Sequence, residues 1–533
     1  MRRSSVFAAC AAVALAGIAA PETKVVDLLP GEHWWGAEVG QGWRMPLSSS
    51  SSYLTDLRTY HHGNQAAPLL LSSKGRYVWC EDPFMYAVSC GRLTLVSDGA
   101  PFELVTAGKT IREAFRAASA KHFPPKGTPR EEFFTAPMLC TWIELQYNQN
   151  ERDILAYTKS FRDRGVKPGV FLIDCTWQND SYGFWTFHEG RFKDPKGMVE
   201  EMRRMGYHVI LWMAPFITTD NIHYRQLRAR KALVGSGSPE RRFLDYDPAT
   251  VRWWDGYSAV LDFSSPAANE WFRGVLSRLM SDYGVEGFFF DGGDAEGYLD
   301  DFRYSDPKSN PSDQCRGYMK FGLEVPFQQH RACWKLGGQP LMQTLRDKKP
   351  VWSEMRRCVA DMIAAGLLGY PFVAADLVGG GTYESFAPGV KFNYEIFIRH
   401  LQIECLSPIL QFSGSPWRVL EEKYQRIVLD MLKLREKWTP YILECARDCG
   451  RTGEPMLRSL DYAYPGCGYE TVTDEFLMGD RLLVAPIVDG GVTSRRVTVP
   501  AGMWVSDRGE TVTGPTTIEV ETPLNRLPHF ERK

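Results

Sequence analysis

The chain has 533 residues, a formal net charge of −2, 44% hydrophobic residues and 13% aromatic residues. This length and composition indicate a globular protein of roughly three or four domains. The balanced charge argues against binding to nucleic acid or to an anionic surface, which both favour an excess of basic residues.

Residues 1–20 have the composition of a secretory signal peptide. Arg2 and Arg3 precede a short apolar run at 6–20 that ends in small residues. The run is too short to span a bilayer well, and we expect no other transmembrane segment. The sequence therefore predicts an exported protein of the periplasm, the cell surface or the medium. Cys10 lies in the apolar run, and the other eleven cysteines are scattered along the chain. We expect most of these to be small buried residues, with one or two disulfides at most.

Short strands separated by turn residues dominate residues 21–135. This pattern predicts an N-terminal antiparallel β-sandwich, and a helical pattern at 111–122 leads out of it. The predicted strands are 68–72, 76–80, 85–88, 93–97 and 102–105.

Residues 136–445 alternate between strands and helices, which predicts an α/β fold of the (β/α)8 TIM-barrel type. The active site of such a barrel lies at the carboxyl ends of its strands. The eight candidate strands are 138–142, 170–174, 209–215, 285–291, 332–335, 341–346, 371–376 and 408–413, and helical stretches include 151–164, 198–205, 354–368, 394–404 and 421–445. We expect residues 446–533 to form a C-terminal β-domain with strands 481–486, 495–500, 502–506 and 517–521.

Asp291 ends an apolar run of three phenylalanines and is followed by two glycines. A buried barrel strand delivers a carboxylate to an active-site mouth in this way. The alternative is an Asp that only caps a turn, because Asp and Gly are common turn residues. Other residues at or near the predicted strand ends are Trp142, Asp174, Trp212, Arg331, Asp347, Asp376 and Trp417, and this clustering favours a polar, ring-shaped ligand.

Asp347 is a second candidate carboxylate, after the predicted strand 341–346. Cleavage of the acetal between two sugars uses one carboxylate at the anomeric carbon and a second carboxyl group that protonates the leaving oxygen. On local sequence alone, a solvated loop Asp paired with Arg346, Lys348 or Lys349 is the favoured alternative.

The chain resembles glycoside hydrolase family 31, in the branch of myogenesis-regulating glycosidase and related bacterial α-galactosidases. The resemblance covers nearly the whole mature chain and includes Gly-Phe-Phe-Phe-Asp-Gly-Gly-Asp at 287–294 and Gly-Tyr-Pro-Phe-Val-Ala-Ala-Asp at 369–376. Asp376 follows Asp347 by 29 residues, which is the family's spacing between its acid/base Asp and the Asp of its Gly-x-Pro-Phe-x-x-x-Asp strand.

The resemblance implies roles for seven residues. Asp291 is implied as the nucleophile, and Asp347 as the general acid and then the general base, of a retaining exo-acting glycosidase. Asp174 would accept hydrogen bonds from sugar hydroxyls, and Arg331 would donate them to hydroxyls and to the nucleophile. The resemblance also implies Trp142, Trp212 and Trp254 as walls of the sugar pocket, although each of them alone fits a core position equally well.

Three positions depart from the family pattern and put the sugar preference in question. Phe289 replaces a frequent Lys, Asp294 replaces a Glu and Thr344 replaces an Arg. Pro-Trp-Arg at 416–418 stands in place of the Arg-x-His pattern of the α-glucosidase branch, which favours galactose. We therefore expect an α-galactosidase-like enzyme. An α-glucosidase or α-xylosidase of the same family, and an inactive carbohydrate-binding protein, are the alternatives.

The sequence predicts no cofactor and no metal. The glycines at 379–381 lack both a strand-to-helix fingerprint and a following Lys-Ser or Lys-Thr, and the ten histidines show no ligand spacing. A glycoside or oligosaccharide substrate is the expected partner, with no nucleic acid. The sequence leaves the oligomeric state open.

Overall fold

The computed structural model describes residues 20–58, 60–237, 246–298, 301–386 and 391–533. Apart from Ala20, the predicted signal peptide lies outside the described residues. Each helix within these ranges is too short or too polar to span a bilayer.

Two sheets form the N-terminal part of the chain, and their strands within residues 22–106 pair antiparallel, as predicted. The first sheet has the order Glu22–Asp27, Arg92–Ser97, Phe84–Ser89 and Tyr53–Asp56. In the second sheet, Trp34–Glu38, Gln65–Ser72, Arg76–Trp79 and Glu103–Thr106 lie side by side. A 3-10 helix spans Val39–Arg44. Helix Ile111–His122 has the predicted bounds because Thr110 and Glu113 form a capping box at its start.

Eight parallel strands form the predicted barrel and lie in chain order. An isolated bridge links Ala374 of the seventh strand to Ile409, two residues before the eighth strand. Every strand residue except His208 is buried, as expected for strands covered on both faces. The strands are β1 (Met138–Cys140), β2 (Val170–Ile173), β3 (His208–Met213), β4 (Gly287–Phe290), β5 (Phe327–His330), β6 (Met342–Thr344), β7 (Val373–Ala374) and β8 (Gln411–Phe412).

Helices surround the barrel, and further short strands lie in its loops. The helices are Glu132–Thr135, Trp142–Leu145, Glu151–Arg162, Pro195–Arg204, Ile222–Ala229, Pro266–Tyr283, Pro311–Met319, Trp352–Leu367, Tyr394–Cys405, Pro416–Val419 and Glu422–Thr452. The 3-10 helices are Ala295–Gly297, Lys320–Glu324 and Tyr383–Phe386. The loop strands are Phe216–Ile217, Gly235–Ser236, Val251–Trp253, Gly256–Val260 and Phe302–Arg303.

The fifth barrel strand begins earlier than predicted. The predicted strand 332–335 is wrong, because Cys333–Trp334 pairs in parallel with Gln65–Ser72 of the N-terminal sheet. The true strand, β5, has the sequence Phe-Gln-Gln-His, whose polar residues hid it. Arg331 therefore follows a barrel strand directly and lies at the carboxyl end of the barrel.

The C-terminal part of the chain is a six-stranded antiparallel sheet with a hydrophobic core of its own. Its strands, in spatial order, are Leu457–Arg458, Phe476–Met478, Leu482–Val484, His529–Arg532, Ser494–Ser506 and Thr511–Glu521, and helix Leu460–Ala463 accompanies them. The predicted strands 495–500 and 502–506 are one strand, interrupted by a register shift between Val499 and Gly502. Pro500 marks this irregularity, since proline cannot donate a ladder hydrogen bond.

All eleven cysteines of the described ranges are free, and nine of them are buried. Buried cysteines confirm the expectation of small apolar core residues. The expectation of one or two disulfides is wrong for this part of the chain, because none of these eleven thiols forms a disulfide bond.

Candidate active site

Asp291 lies at the carboxyl end of β4 and faces a cavity. Its carboxylate accepts hydrogen bonds from Trp212 Nε1 and from the N–H of Gly292, both at 2.9 Å. Gly292 has a φ of +67°, and a Cβ there would lie 2.9 Å from the ring of Trp254. The turn after Asp291 therefore requires glycine, and it leaves the Asp291 side chain 15% exposed.

Arg331 follows β5, the next strand of the barrel, and contacts two carboxylates. Its Nη2 lies 2.6 Å from Asp347 Oδ1, and its Nε lies 3.7 Å from Asp291 Oδ1. Nη1 donates to the carbonyl of Leu345. Burial lowers the pKa of Arg331, but four nearby carboxylates outweigh it and raise the pKa above its usual value, so the guanidinium stays charged; they are Asp347, Asp291, Asp376 and Asp294.

Asp347 lies three residues after β6, one strand beyond Arg331. Within the described ranges it forms no ion pair with Arg346, Lys348 or Lys349, and Lys348 is buried and bonded to Asp361 at 2.9 Å. The pairing of Asp347 with Arg346, Lys348 or Lys349 that the local sequence favoured is therefore wrong. Partial burial raises the pKa of Asp347 above its usual value, while Arg331 opposes the shift and Asp291 adds to it.

Asp174 is buried at the end of β2, where it is bonded on both oxygens. Oδ1 accepts the N–H of Cys175 at 2.7 Å, and Oδ2 accepts the thiol of Cys140 at 3.1 Å. Burial raises the pKa of Asp174 to about 7. The sequence interpretation missed both contacts, because it placed Cys140 among the apolar core residues and because the backbone N–H of Cys175 carries no signal in the sequence.

The three predicted pocket tryptophans all line the cavity, in different ways. Trp212 is almost fully buried beside Asp291, whereas Trp254 is 60% exposed at the rim. Trp142 donates its indole N–H to the carbonyl of Gly381 at 2.9 Å. Trp417, also placed at a strand end by the sequence, does not line the cavity; it packs against Phe161 and the guanidinium of Arg164.

Asp376 is buried beside Asp347 in the loop after β7. Its φ is +113°, and its Oδ2 accepts the N–H groups of Lys348 and Gly381 at 2.6 and 2.8 Å. A Cβ on Gly381 would lie 2.5 Å from Asp376 Oδ1 and 3.0 Å from Asp347 Oδ1. Gly381 therefore has no room for a side chain between the two carboxyl groups.

All seven predicted site residues line one cavity of about 760 Å³. This volume falls within the range of roughly 300–1,000 Å³ that is usual for small-molecule sites. No three His, Cys, Asp or Glu side chains in the described ranges are arranged to hold a metal ion.

The sequence interpretation missed several residues of the cavity wall. Gln329 and Gln411, from β5 and β8, hydrogen-bond to each other at 3.0 Å across the inside of the barrel. Tyr147 and Asp255 come from turns, and Tyr383 begins the 3-10 helix Tyr383–Phe386. The Trp-Trp-Asp run at 253–255 was a signal for Asp255, whereas the tyrosines carried none.

The three residues that depart from the family pattern also line the cavity. The guanidinium of Arg331 lies over the Phe289 ring, 5.6 Å from its centre. Burial and the nearby Glu296 and Asp291 raise the pKa of Asp294 well above its usual value. Phe289, Asp294 and Thr344 therefore change the polarity of the pocket wall and leave Asp291 and Asp347 in place.

Known proteins share both the sequence and the fold of this chain. Residues 135–320 and 345–445 match the family model "Glycosyl hydrolases family 31 TIM-barrel domain", and residues 453–533 match "Glycosyl hydrolase family 31 C-terminal domain". Myogenesis-regulating glycosidase of Mus musculus is 30% identical over 421 residues, which are 76% of this chain and 57% of that protein. Alpha-glucosidase 2 of Bacillus thermoamyloliquefaciens is 23% identical over 415 residues, 72% of this chain and 50% of that protein. The chain thus spans little more than half the length of these relatives.

Solved structures share the fold at low sequence identity. A GH31 dextranase of Flavobacterium johnsoniae, complexed with glucose, has a TM-score of 0.83 at 19% identity. The match covers 96% of this chain and 66% of the dextranase chain. A GH31 α-xylosidase from a soil metagenome, complexed with xylose, has a TM-score of 0.83 at 19% identity. The match covers 98% of this chain and 80% of the xylosidase chain. The family 31 barrel model matches more than half of the chain. The chain therefore belongs to glycoside hydrolase family 31, in the branch of myogenesis-regulating glycosidase.

Proposed function

We propose that this chain is an exported, retaining, exo-acting α-glycosidase that removes terminal α-linked galactose. The observation that carries the proposal is that Arg331 contacts both Asp347 and Asp291 on the wall of one cavity. A guanidinium shared by two carboxylates from different strands keeps both directed at one bound sugar, as retaining hydrolysis requires.

The two carboxyl groups divide the chemistry between them. Asp291 attacks C1 of the sugar while Asp347 donates its proton to the leaving oxygen, so that the aglycone departs as an alcohol. The raised pKa of Asp347 favours the protonated form that this step needs. Asp347, now ionised, then takes a proton from water, whose oxygen attacks C1 and releases Asp291. Two inversions at C1 give net retention.

The shape of the cavity supports attack on terminal residues. Gln329 and Gln411, which line the cavity from barrel strands, are joined by their hydrogen bond inside the barrel, and the exposed ring of Trp254 lines the cavity rim. Aromatic faces at this rim suit the apolar face of a sugar ring. The resemblance of the sequence to bacterial α-galactosidases supports the preference for galactose, as does Pro-Trp-Arg at 416–418 in place of the Arg-x-His pattern of the α-glucosidase branch.

A panel of nitrophenyl α-galactoside, α-glucoside and α-xyloside tests the proposal, with the anomer of the first product followed by NMR. We expect the galactoside to be cleaved fastest and to give the α-anomer first. Asp291→Asn and Asp347→Asn should each reduce turnover by several orders of magnitude without lowering the melting temperature. Asp489→Asn, at a surface carboxylate paired with Arg356, is the matched control and should behave as wild type.

Three other outcomes would replace the proposal. Faster turnover of the glucoside or xyloside would make the chain an α-glucosidase or α-xylosidase. Galactose binding without turnover would make it a carbohydrate-binding protein, an alternative that the altered Phe289 and Thr344 motivate. Full-length protein found inside the producing cell would contradict export.

A further inference from the structure

Arg331 lies where the chain passes from the barrel to the N-terminal sheet. It follows β5, and two residues later Cys333–Trp334 pairs with Gln65–Ser72. Its N–H donates to the carbonyl of Phe290 in β4 at 3.2 Å, and its carbonyl accepts Gln65 Nε2 at 2.7 Å. The main chain of this arginine is therefore held by the barrel on one side and by the N-terminal sheet on the other.

Gln65 also reaches the strand that leads to Asp347. Its Nε2 donates to the carbonyl of Thr344, the last residue of β6, at 3.0 Å. The side chain is fully buried, and both acceptors are carbonyl oxygens. Only the amide nitrogen suits this position, because the amide oxygen would repel both carbonyls. One buried amide thus joins the ends of β5 and β6.

Neighbours of Gln65 contact the loops of both candidate catalytic carboxylates. Asn64 Oδ1 accepts the N–H of Arg346, the residue before Asp347, at 2.9 Å. Glu296, in the loop after Asp291, accepts the N–H groups of His61 and Gly63 at 2.9 and 3.1 Å. Residues 61–65 therefore hold the nucleophile loop and the acid/base loop at once.

We infer that residues 61–65 are a positioning element of the active site and that Gln65 is its principal positioning residue. Through the carbonyls of Arg331 and Thr344, Gln65 sets the geometry in which the guanidinium joins Asp291 and Asp347. The kinetic consequence of this inference rests on the proposed function.

Gln65→Met tests the inference, because Met keeps the length of the side chain and removes its donors. Tyr370→Phe is the matched control: the Tyr370 hydroxyl donates to the carbonyl of Ala66 at 3.0 Å and accepts the N–H of Leu336 at 3.1 Å. It thus joins the same sheet to the barrel without touching either carboxylate loop. We expect both variants to lower the melting temperature by similar amounts.

Kinetics should separate the two variants. Gln65→Met should lower kcat for phenyl α-galactoside at least tenfold and displace the alkaline limb of the pH profile of kcat/KM. Tyr370→Phe should change kcat less than twofold and leave the alkaline limb in place. The dinitrophenyl glycoside should be affected less, since its leaving group needs little help from the proton of Asp347.

Crystal structures of both variants provide a readout that does not depend on turnover. In Gln65→Met the contact from Arg331 Nη2 to Asp347 Oδ1 should lengthen beyond about 3.5 Å, the limit of a hydrogen bond, and in Tyr370→Phe it should persist. An unchanged contact and an unchanged pH profile in Gln65→Met would overturn the inference. A lengthened contact in a protein that cleaves no glycoside would contradict the proposed function alone. If Gln65→Met does not fold, Asn64→Ala should give the same changes with smaller amplitude.

Discussion

Trp212 donates its indole N–H to the carboxylate of Asp291, with 2.9 Å between Nε1 and Oδ2. The ring is 1% exposed, so water has little access to replace the lost donor. The sequence interpretation had assigned Trp212 to the wall of the sugar pocket. The structure gives Trp212 a second role, because its hydrogen bond fixes one carboxylate oxygen of Asp291, the proposed nucleophile.

Trp212→Phe should therefore reduce activity beyond what the loss of packing explains. Hydrogen bonds to charged groups contribute about 1.5–3 kcal/mol, so we expect kcat/KM to fall about tenfold to a hundredfold. Trp185→Phe is the control, since its ring packs 6.4 Å from that of Trp212 and its indole N–H has no hydrogen-bond partner in the described part of the chain. Equal losses of kcat/KM in both variants would contradict the role of the hydrogen bond.

Gly381→Ala should displace the proposed acid/base. The new Cβ would meet carboxyl oxygens of Asp376 at 2.5 Å and Asp347 at 3.0 Å, and Asp376 is held by the N–H groups of Lys348 and Gly381. We expect kcat to fall at least tenfold in steady-state assays. Gly274→Ala, in helix Pro266–Tyr283 with nothing within 4 Å of the added Cβ, should leave kcat unchanged and raise the melting temperature slightly.

The proton of Asp347 should govern the alkaline limb of the pH profile. Its pKa is raised, so the protonated acid persists to higher pH than an ordinary Asp, and kcat/KM should fall as pH rises through that pKa. Asp347→Ala removes this limb. Its loss of rate should be far smaller for a dinitrophenyl than for a phenyl glycoside, as measured by release of the phenol. A loss independent of the leaving group would argue against Asp347 as the acid.

Local patterns predicted the barrel and marked Asp291, whereas Asp347 and the other site residues were identified through the resemblance to family 31. The run of phenylalanines before Asp291 marks a buried strand, and the capping box at Thr110 marks the start of a helix. The polar strand β5 gave no such signal, so the place of Arg331 in the barrel was missed. The bond from Gln65 to Arg331 joins residues 266 positions apart and follows only from the packing of the N-terminal sheet on the barrel. Trp417 shows the opposite error, since a residue close to a predicted strand end turned away from the cavity.

Asp174 should weaken the fold at neutral and alkaline pH. Burial raises its pKa from 3.8 to about 7, so between these values the folded state binds more protons than the unfolded state. The free energy of unfolding therefore decreases as pH rises from about 4 through 7, and stability is highest where the carboxyl group is neutral. A shift of this size corresponds to at most about 4 kcal/mol. Asp174→Asn removes the titrating group and keeps an oxygen for the N–H of Cys175.

Melting temperatures measured at pH 5 and pH 8 test this expectation. Asp174→Asn should gain more stability over wild type at pH 8 than at pH 5, and it should lose glycoside turnover because the charged acceptor for sugar hydroxyls is gone. Glu475→Gln is the matched control: burial also raises the pKa of Glu475 to about 7, but this residue lies in the C-terminal part of the chain and does not line the cavity. Glu475 directly precedes strand Phe476–Met478 of the C-terminal sheet, and its variant should show the same dependence on pH with unchanged turnover. A gain in Asp174→Asn that is equal at both pH values would show that the buried carboxyl group does not titrate in this range.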